Sequence, residues 1–404
     1  MDIGIFGLWG MNIPVVTFGG FDYAFSEIGW RLAEQGHKVT IYCRRERYPE
    51  NCRPRSYKGI NLVYVPTIDI KDLSFLTALT NSLIYAFLRQ KHDIYLFVNV
   101  GSGWHCFITK LLGKKVVLNV DGLDWFRGKW GRHAKFYFKS AANAGLFACD
   151  ALITDAEAMV DYYKREFGRE LEMIAYGAYI ENSKDPSLIS QFNIRPKEYY
   201  LIAGRLVPEN NADLIMDAFK KVDTDKKLVI AGDANYDSIF HQKIRNNGDP
   251  RVIFTGWIND QDVLKELHCN SYAYLHGHSV GGTNPALLQA LGCSNMIVAL
   301  NTPFNSEVLD NGRYGIQFEG DVEDLRGKLQ FVEDNPAKTN KYRQRGPERI
   351  REKYNWELIT KKYLILLKEV MQGRSDSSRR IILFRIGILL ALILVFTFII
   401  SKSS

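Results

Sequence analysis

The sequence is short of what metal centres and disulfide scaffolds need. Its six cysteines, at 43, 52, 106, 149, 269 and 293, are scattered, and none forms a Cys-x-x-Cys pair. That argues against a zinc site or a disulfide framework, and a reducing compartment fits. Asp223-Thr-Asp225 has the look of a metal-binding acidic pair. It precedes the strand pattern Lys227–Ala231, at the amino end of a sheet, away from where ligands sit, so it reads as a loop and no metal is expected. The dinucleotide fingerprint Gly-x-Gly-x-x-Gly is also missing. The opening glycines run Gly4-x-x-Gly7-x-x-Gly10, and the second strand ends in Cys43-Arg44 instead of an acid for a ribose. No nicotinamide or flavin cofactor is expected. There is no short-period repeat and no low-complexity tract. The strand pattern begins at Asp2, so no signal peptide is expected.

The formal charge of +7 does not mark a nucleic-acid binder, because of where it lies. Residues 373–404 hold Arg374, Arg379, Arg380, Arg385 and Lys402 against Asp376, which accounts for +4 of it. The excess flanks an apolar tail and forms no basic stripe on a domain. The tail, Ile381–Ile400, has 20 residues interrupted only by Arg385. About 20 apolar residues span a bilayer, and an arginine near one end can reach the headgroups. Residues 386–400 are apolar on every face, which argues against a helix lying on the surface. With arginines on the N-terminal side, a single-pass anchor would leave the globular part in the cytoplasm.

A chain of 404 residues exceeds one ordinary core, so two domains are expected. Strand patterns alternate with helical ones through both halves, which predicts α/β architecture with parallel sheets covered on both faces. The expected boundaries are a Rossmann-like domain over 1–177, a linker over 178–198, and a second Rossmann-like domain over 199–346. A C-terminal helix over 347–371, a polar spacer over 372–380 and a transmembrane anchor over 381–400 follow.

The most informative stretch is His276-Gly277-His278-Ser279-Val280-Gly281-Gly282-Thr283-Asn284-Pro285-Ala286-Leu287-Leu288-Gln289. An apolar strand, Ser271–Leu275, leads into a glycine turn and then a helix. Thr283 and Asn284 suit an N-cap, and Pro285 the first helical position. Backbone N–H groups at such a helix start make a ready anion site. A second strand ends in Gly204-Arg205 and continues Leu206-Val207-Pro208-Glu209-Asn210-Asn211. Arg205 is the best phosphate ligand by type, since its planar fork matches phosphate oxygens. Gly19-Gly20 either approaches a ligand through its N–H groups or forms a plain turn before a helix.

These segments, together with Gly19-Gly20-Phe21-Asp22, Asp121-Gly122-Leu123-Asp124-Trp125-Phe126-Arg127-Gly128-Lys129-Trp130 and Ile174-Ala175-Tyr176-Gly177-Ala178, resemble family-4 glycosyltransferases of the GT-B fold. The resemblance runs over about residues 3 to 290 and is greatest to the bacterial branch that includes rhamnosyltransferases of surface polysaccharides. It implies two Rossmann-like domains facing a cleft, with the acceptor side in the N-terminal domain and the donor in the C-terminal one. It implies a retaining glycosyltransferase moving a sugar, with L-rhamnose from dTDP-L-rhamnose as the favoured donor, to a lipid-linked saccharide. A UDP-hexose or UDP-N-acetylhexosamine donor is the alternative within enzymes. An inactive, membrane-tethered scaffold of a polysaccharide-assembly complex is the alternative outside them.

Residue by residue, the resemblance places the donor against Gly19, Gly20, Arg205, Asn210, Gly281, Gly282, Thr283, Asn284 and Gln289. It assigns chemistry to Asp121 and Arg205, and the acceptor to Asp22, Asp124, Trp125 and Arg127. Many relatives carry a lysine where Asn210 stands and glutamates where Gly281 and Gln289 stand. The Glu-Asn-Asn run and Gly281 fit the rhamnosyltransferase branch, whereas Gln289 departs even from it and keeps only a neutral acceptor for a ribose hydroxyl. Asp121 either orients an acceptor hydroxyl or forms an Asp-Gly turn. His276 and His278 either hydrogen-bond phosphate and sugar or are structural. Asp22 and Asp124 bind sugar hydroxyls or cap helices. The mixed aromatic and basic run from Trp125 to Lys139 suits a membrane interface or an anionic lipid, or else a solvated helix with its tryptophans in the core.

Overall fold

The computed structural model describes residues 1–14, 16, 18–68, 70, 73–120, 122–126, 130–233, 240, 244 and 248–373. Asp121, Arg127 and the expected anchor over 381–400 lie outside the described residues. Two compact units divide the chain. The first comprises residues 1–154, 160–174 and 360 onward, and the second residues 155–159 and 175–359.

In the first unit, β1 (Asp2–Phe6), β2 (Lys38–Arg44), β3 (Ser56–Tyr57), β4 (Ile60–Val65), β5 (Ile94–Val98), β6 (Lys115–Asn119), β7 (Ala151–Thr154) and β8 (Glu172–Met173) form one sheet. The strand order is β3-β4-β2-β1-β5-β6-β7-β8, parallel throughout except for the β3–β4 hairpin. β5, Ile-Tyr-Leu-Phe-Val, is buried at every residue. That unbroken apolar run is what a parallel strand covered on both faces requires. The chain runs to one side of β1 through β2 and β4, then crosses back to β5. The change of direction falls between β1 and β5, and loops at such a switch point are where open parallel sheets bind ligands.

In the second unit, β9 (Tyr199–Ala203), β10 (Lys227–Ala231), β11 (Val252–Gly256), β12 (Ala273–His276), β13 (Met296–Leu300) and β14 (Ile316–Phe318) form a parallel sheet ordered β11-β10-β9-β12-β13-β14. Here too the direction reverses, between β9 and β12. Helix Ala212–Phe219 buries Ala212, Ile215, Met216 and Phe219, the i, i+3, i+4, i+7 stripe of an amphipathic helix. Each of the larger three side chains contributes about 1.5–3 kcal/mol by leaving water.

Two expectations need correcting. Pro347–Met371 is not one helix. Helix Pro336–Lys353 passes through Pro347, and a second helix, Trp356–Met371, begins after a break at Tyr354-Asn355. Asn355 ends the first, its amide Nδ2 donating to the Arg351 carbonyl, and opens the second, its side-chain oxygen accepting from Leu358 N–H. The second helix is divided between the units, and from Thr360 it belongs to the first. There Asn119 Nδ2 donates to Tyr363 Oη at 2.8 Å, and Tyr363 packs edge-on against Phe25. The segment 178–198 is no free linker either. Buried Glu266 accepts from Ser183 Oγ, Lys184 N and Asp185 N, and Ile189 is fully buried. Burial alone would raise the Glu266 pKa, but these bonds and one from Asn270 hold it below the usual value. Among the described residues, no helix is long and apolar enough to cross a membrane.

Candidate functional site

The carboxyl edge of the second sheet gathers three loops. Gly204 N donates to the Ala231 carbonyl, Gly232 N to that of Gly256, and Leu206 N to that of Asp233. Gly232 has φ +145, and a Cβ there would stand 1.9 Å from the Gly204 carbonyl oxygen. Only glycine permits this approach, and it brings Arg205 to the rim, where its side chain is exposed. The turn after Arg205 is closed by Asn210, whose Nδ2 donates to the Arg205 carbonyl at 2.7 Å. The Asn210 amide thus shapes the loop carrying the arginine.

The third loop is clamped onto that turn. Ser279 gives both its N–H and its Oγ–H to the Glu209 carbonyl, and Asn211 Nδ2 donates to the Gly277 carbonyl at 2.7 Å. Asn305 Nδ2 donates to the His278 carbonyl at 3.1 Å. Gly281, at φ +128, takes a conformation L side chains rarely adopt, and a Cβ on it would meet nothing within 4 Å. Asn284 is the N-cap, accepting from Ala286 N at 2.9 Å, and Pro285 opens helix Pro285–Gly292. Thr283 does something else. Its hydroxyl donates to the Asp155 carbonyl at 2.5 Å, and a Cβ on Gly282 would lie 1.9 Å from Asp155 Oδ1. Gln289 sits half-buried on the same helix, and its amide has no hydrogen-bond partner among the described residues.

Asp155 and Asn305 escaped the sequence reading. The signal for Asp155 was an acid directly after strand β7; for Asn305 there was none, because it lies one loop beyond the motif.

His276 and His278 stack with ring centroids 4.3 Å apart and planes 10° apart, and His278 lies against Gly204. Both ring nitrogens of His276 and Nδ1 of His278 are buried without a hydrogen-bond partner among the described residues. Burial, and secondarily Arg205, lowers the His278 pKa to about 4, and burial lowers that of His276 well below the ordinary value. Both rings are neutral at pH 7, so they stack without repulsion. Such a pair offers neutral hydrogen bonds beside a cation.

This has a measurable consequence. A histidine lowered from 6.5 to about 4 by folding takes up its proton more readily in the unfolded chain. Its contribution is complete above pH 6.5 and is lost as pH falls toward 4. The loss for His278 should reach on the order of 3 kcal/mol by pH 4. Urea midpoints measured from pH 7 to 4 should fall less steeply in His278→Gln than in the wild type. Parallel slopes would show that His278 does not titrate as its burial demands.

In the first unit, Gly19 and Gly20 are exposed at the start of helix Gly20–Glu34, which has no side-chain cap, and Gly20 has φ +59. Asp22, in its first turn, is buried, and Oδ1 accepts from Trp9 N at 2.6 Å and Gly10 N at 3.3 Å. Its carboxylate holds the loop after β1. Burial raises its pKa to about 7, against the pull of those N–H groups and Arg44. Asp124 is buried, with Oδ2 taking a bond from Asn99 Nδ2 at 3.0 Å and Oδ1 one from Trp130 Nε1 at 3.3 Å. Trp125 is only 8% exposed and packs against Phe126, Tyr162, Tyr163 and Phe167. Its ring packs in the core, with aromatic partners from helix Glu157–Phe167, remote in the chain.

Residues 186–349 match the family described as Glycosyl transferases group 1, and residues 18–178 match Glycosyltransferase Family 4. Between them these matches span most of the chain, which belongs to the GT-B glycosyltransferases built from these two halves. An uncharacterized glycosyltransferase of Methanocaldococcus jannaschii is 24% identical over 244 residues, 56% of this chain and 60% of that relative. The chain thus matches about three-fifths of that relative's length. The fold is shared with sucrose-phosphate synthase from Thermosynechococcus elongatus, at a TM-score of 0.76 and 15% identity over 92% of this chain and 99% of that one. It is shared as well with Anabaena HepE in complex with UDP-glucose, at a TM-score of 0.72 and 13% identity over 91% and 99%.

Proposed function

We propose that this chain transfers one sugar from a nucleoside-diphosphate donor to a lipid-linked saccharide, with retention at the anomeric carbon. The observation that carries the proposal is the edge where Arg205, the neutral His278 and the Gly281–Asn284 turn converge. It offers a guanidinium fork, uncharged hydrogen bonds and helix-start N–H groups to a diphosphate. In the transfer, the bond from the anomeric carbon to the β-phosphate oxygen breaks and the electron pair stays on that oxygen. The acceptor hydroxyl oxygen bonds the same carbon and its proton passes to the departing phosphate. Donors fixed around the diphosphate stabilise the charge as it grows.

The sugar proposed is L-rhamnose, carried on dTDP. Gly281 supports it: at the position where relatives carry a glutamate there is neither a carboxylate nor a side chain. A 6-deoxy sugar, with a methyl in place of a hydroxyl, suits a less polar pocket. A UDP-hexose donor is the second reading, favoured by the UDP-glucose bound to Anabaena HepE. Ile381–Ile400 is proposed as a single-pass anchor, with the globular part on the cytoplasmic side beside Arg379 and Arg380.

The test is a thermal-shift screen of the full chain in detergent with dTDP, UDP, dTDP-L-rhamnose and UDP-glucose. A ligand at one hundred times its Kd stabilises by about 2.7 kcal/mol. The dTDP pair should raise the midpoint most. A larger shift with UDP-glucose would overturn the rhamnose assignment. No shift with any nucleotide would favour the inactive scaffold.

A further inference from the structure

Three helices of the first unit carry an unusual surface. Leu73–Arg89 (17 residues), Gly103–Leu111 (9 residues) and Arg132–Ala148 (17 residues) contain no aspartate or glutamate, in a chain with 45 acidic residues among 404. Their exposed or half-buried cations are Arg89, Arg132, Lys135 and Lys139, while Lys110 is buried and paired with Asp150 Oδ1 at 2.6 Å. They lead from β4 to β5, β5 to β6 and β6 to β7, always moving across the sheet in one direction. Right-handed crossovers therefore put all three on the same face.

Beside these cations, their exposed positions carry large apolar side chains. Ile84 is 51% exposed, Leu88 76%, Trp104 43%, Ile108 50%, Leu112 57% and Phe136 76%. These form one patch. Thr80 Oγ1 lies 3.1 Å from His105 Nε2, which sets the first two helices side by side. Both run in the same direction, so the next turns bring Ile84 level with Ile108 and Leu88 with Leu112. Trp104 Nε1 donates to Ser140 Oγ at 3.1 Å, and a Cβ on Gly103 would clash with the Ala141 carbonyl, so the third helix abuts the second. Phe136 is one turn from Ser140.

A contiguous apolar patch of this kind marks an interaction surface. Its chemistry points to one occupant. Protein interfaces are depleted in lysine as well as in acids, whereas an anionic lipid surface selects against acids and for lysine and arginine. The same unit receives the end of the described chain, Thr360–Met371, beyond which lies the apolar segment Ile381–Ile400. We propose that this three-helix face docks on an anionic bilayer, inserting Ile84, Leu88, Ile108, Leu112 and Phe136 among the headgroups. This rests on the membrane reading of the tail but is a separate contact. Docking there would present the loops of the first unit to an acceptor held in the same bilayer.

The test uses the full chain in vesicles, on a Cys52→Ser background, since the other native cysteines are buried. An environment-sensitive dye is attached at Ile108→Cys, at Ala391→Cys in the tail, or at Glu34→Cys, exposed at the end of helix Gly20–Glu34, whose crossover from β1 to β2 runs the other way and so lies on the opposite face of the first sheet. Vesicles are phosphatidylcholine alone or with one-quarter phosphatidylglycerol, with and without a lipid-borne quencher. The Ile108 label should shift to the blue and be quenched from the lipid, more so with phosphatidylglycerol, while the Glu34 label does neither. Lys135→Gln and Lys139→Gln should each lower the docked-to-free ratio roughly fivefold, only in phosphatidylglycerol vesicles. A solvent-exposed label at Ile108 with a lipid-exposed one at Ala391 overturns the docking face and leaves the anchor standing. A solvent-exposed label at Ala391 overturns the anchor, and the Ile108 label then decides the face alone. A shielded Ile108 label that no lipid quencher reaches also overturns the proposal, in favour of a protein partner or a second copy. So does docking indifferent to phosphatidylglycerol.

Discussion

Gly232→Ala should cost the second unit on the order of 3 kcal/mol or more and disassemble the edge that carries Arg205. The added Cβ would lie 1.9 Å from the Gly204 carbonyl oxygen and 2.9 Å from its carbonyl carbon. Both are backbone atoms, so no rotamer change relieves the clash. The φ of +145 adds strain of its own. Gly204 cannot retreat freely, because its N–H is bonded to Ala231 and its φ of +152 is also reserved for glycine. Gly327→Ala is the control. It lies in helix Val322–Asp334, a Cβ there meets nothing within 4 Å, and the change should be neutral or stabilising by about 0.5–1 kcal/mol. Urea unfolding of both variants checks this. A Gly232→Ala protein as stable as the wild type would show that the close approach of the two loops is not a feature of the fold.

Arg205→Ala should weaken nucleoside-diphosphate binding by about 30- to 150-fold, the equivalent of about 2–3 kcal/mol for one hydrogen bond to a charged group. The residue follows β9 at the carboxyl edge, exposed, beside a histidine pair that adds no charge at pH 7. Its carbonyl is tied to Asn210, so the backbone of the turn should survive loss of the side chain. The thermal midpoint without ligand should therefore stay close to that of the wild type. Arg205→Lys should fall between, because an ammonium keeps the charge and loses the fork. Calorimetric titration with UDP and dTDP measures the effect. Undiminished affinity for both nucleotides in a folded Arg205→Ala protein would remove the arginine from the donor site.

Most strands were legible because parallel sheets buried on both faces demand continuous apolar runs. Ile94–Val98 could be little else. The helix start at Asn284-Pro285 was equally plain, since an N-cap acceptor followed by a proline at the first position satisfies local backbone rules. The role of Thr283 was not. Its hydroxyl goes to Asp155, 128 residues away in sequence. The burial of Trp125 was hidden for a related reason: an aromatic beside cations reads alike whether it faces lipid or packs under a helix. Pro347 misled too, because a proline suggests a helix start, and only the neighbouring structure shows the helix passing through it.

The sequence by itself determined the two parallel-sheet units, their glycine turns and the family, because these depend on short-range periodicity and on residue types with few conformational options. Tertiary structure alone decided how the side chains are used. It turned Asn210 inward onto the Arg205 carbonyl, buried Asp22 against the loop after β1, and left both ring nitrogens of His276 and Nδ1 of His278 without hydrogen-bond partners among the described residues. It also set three acid-free helices side by side on one face of the first sheet. Each of these depends on which distant segments meet, and chain distance carries no record of that.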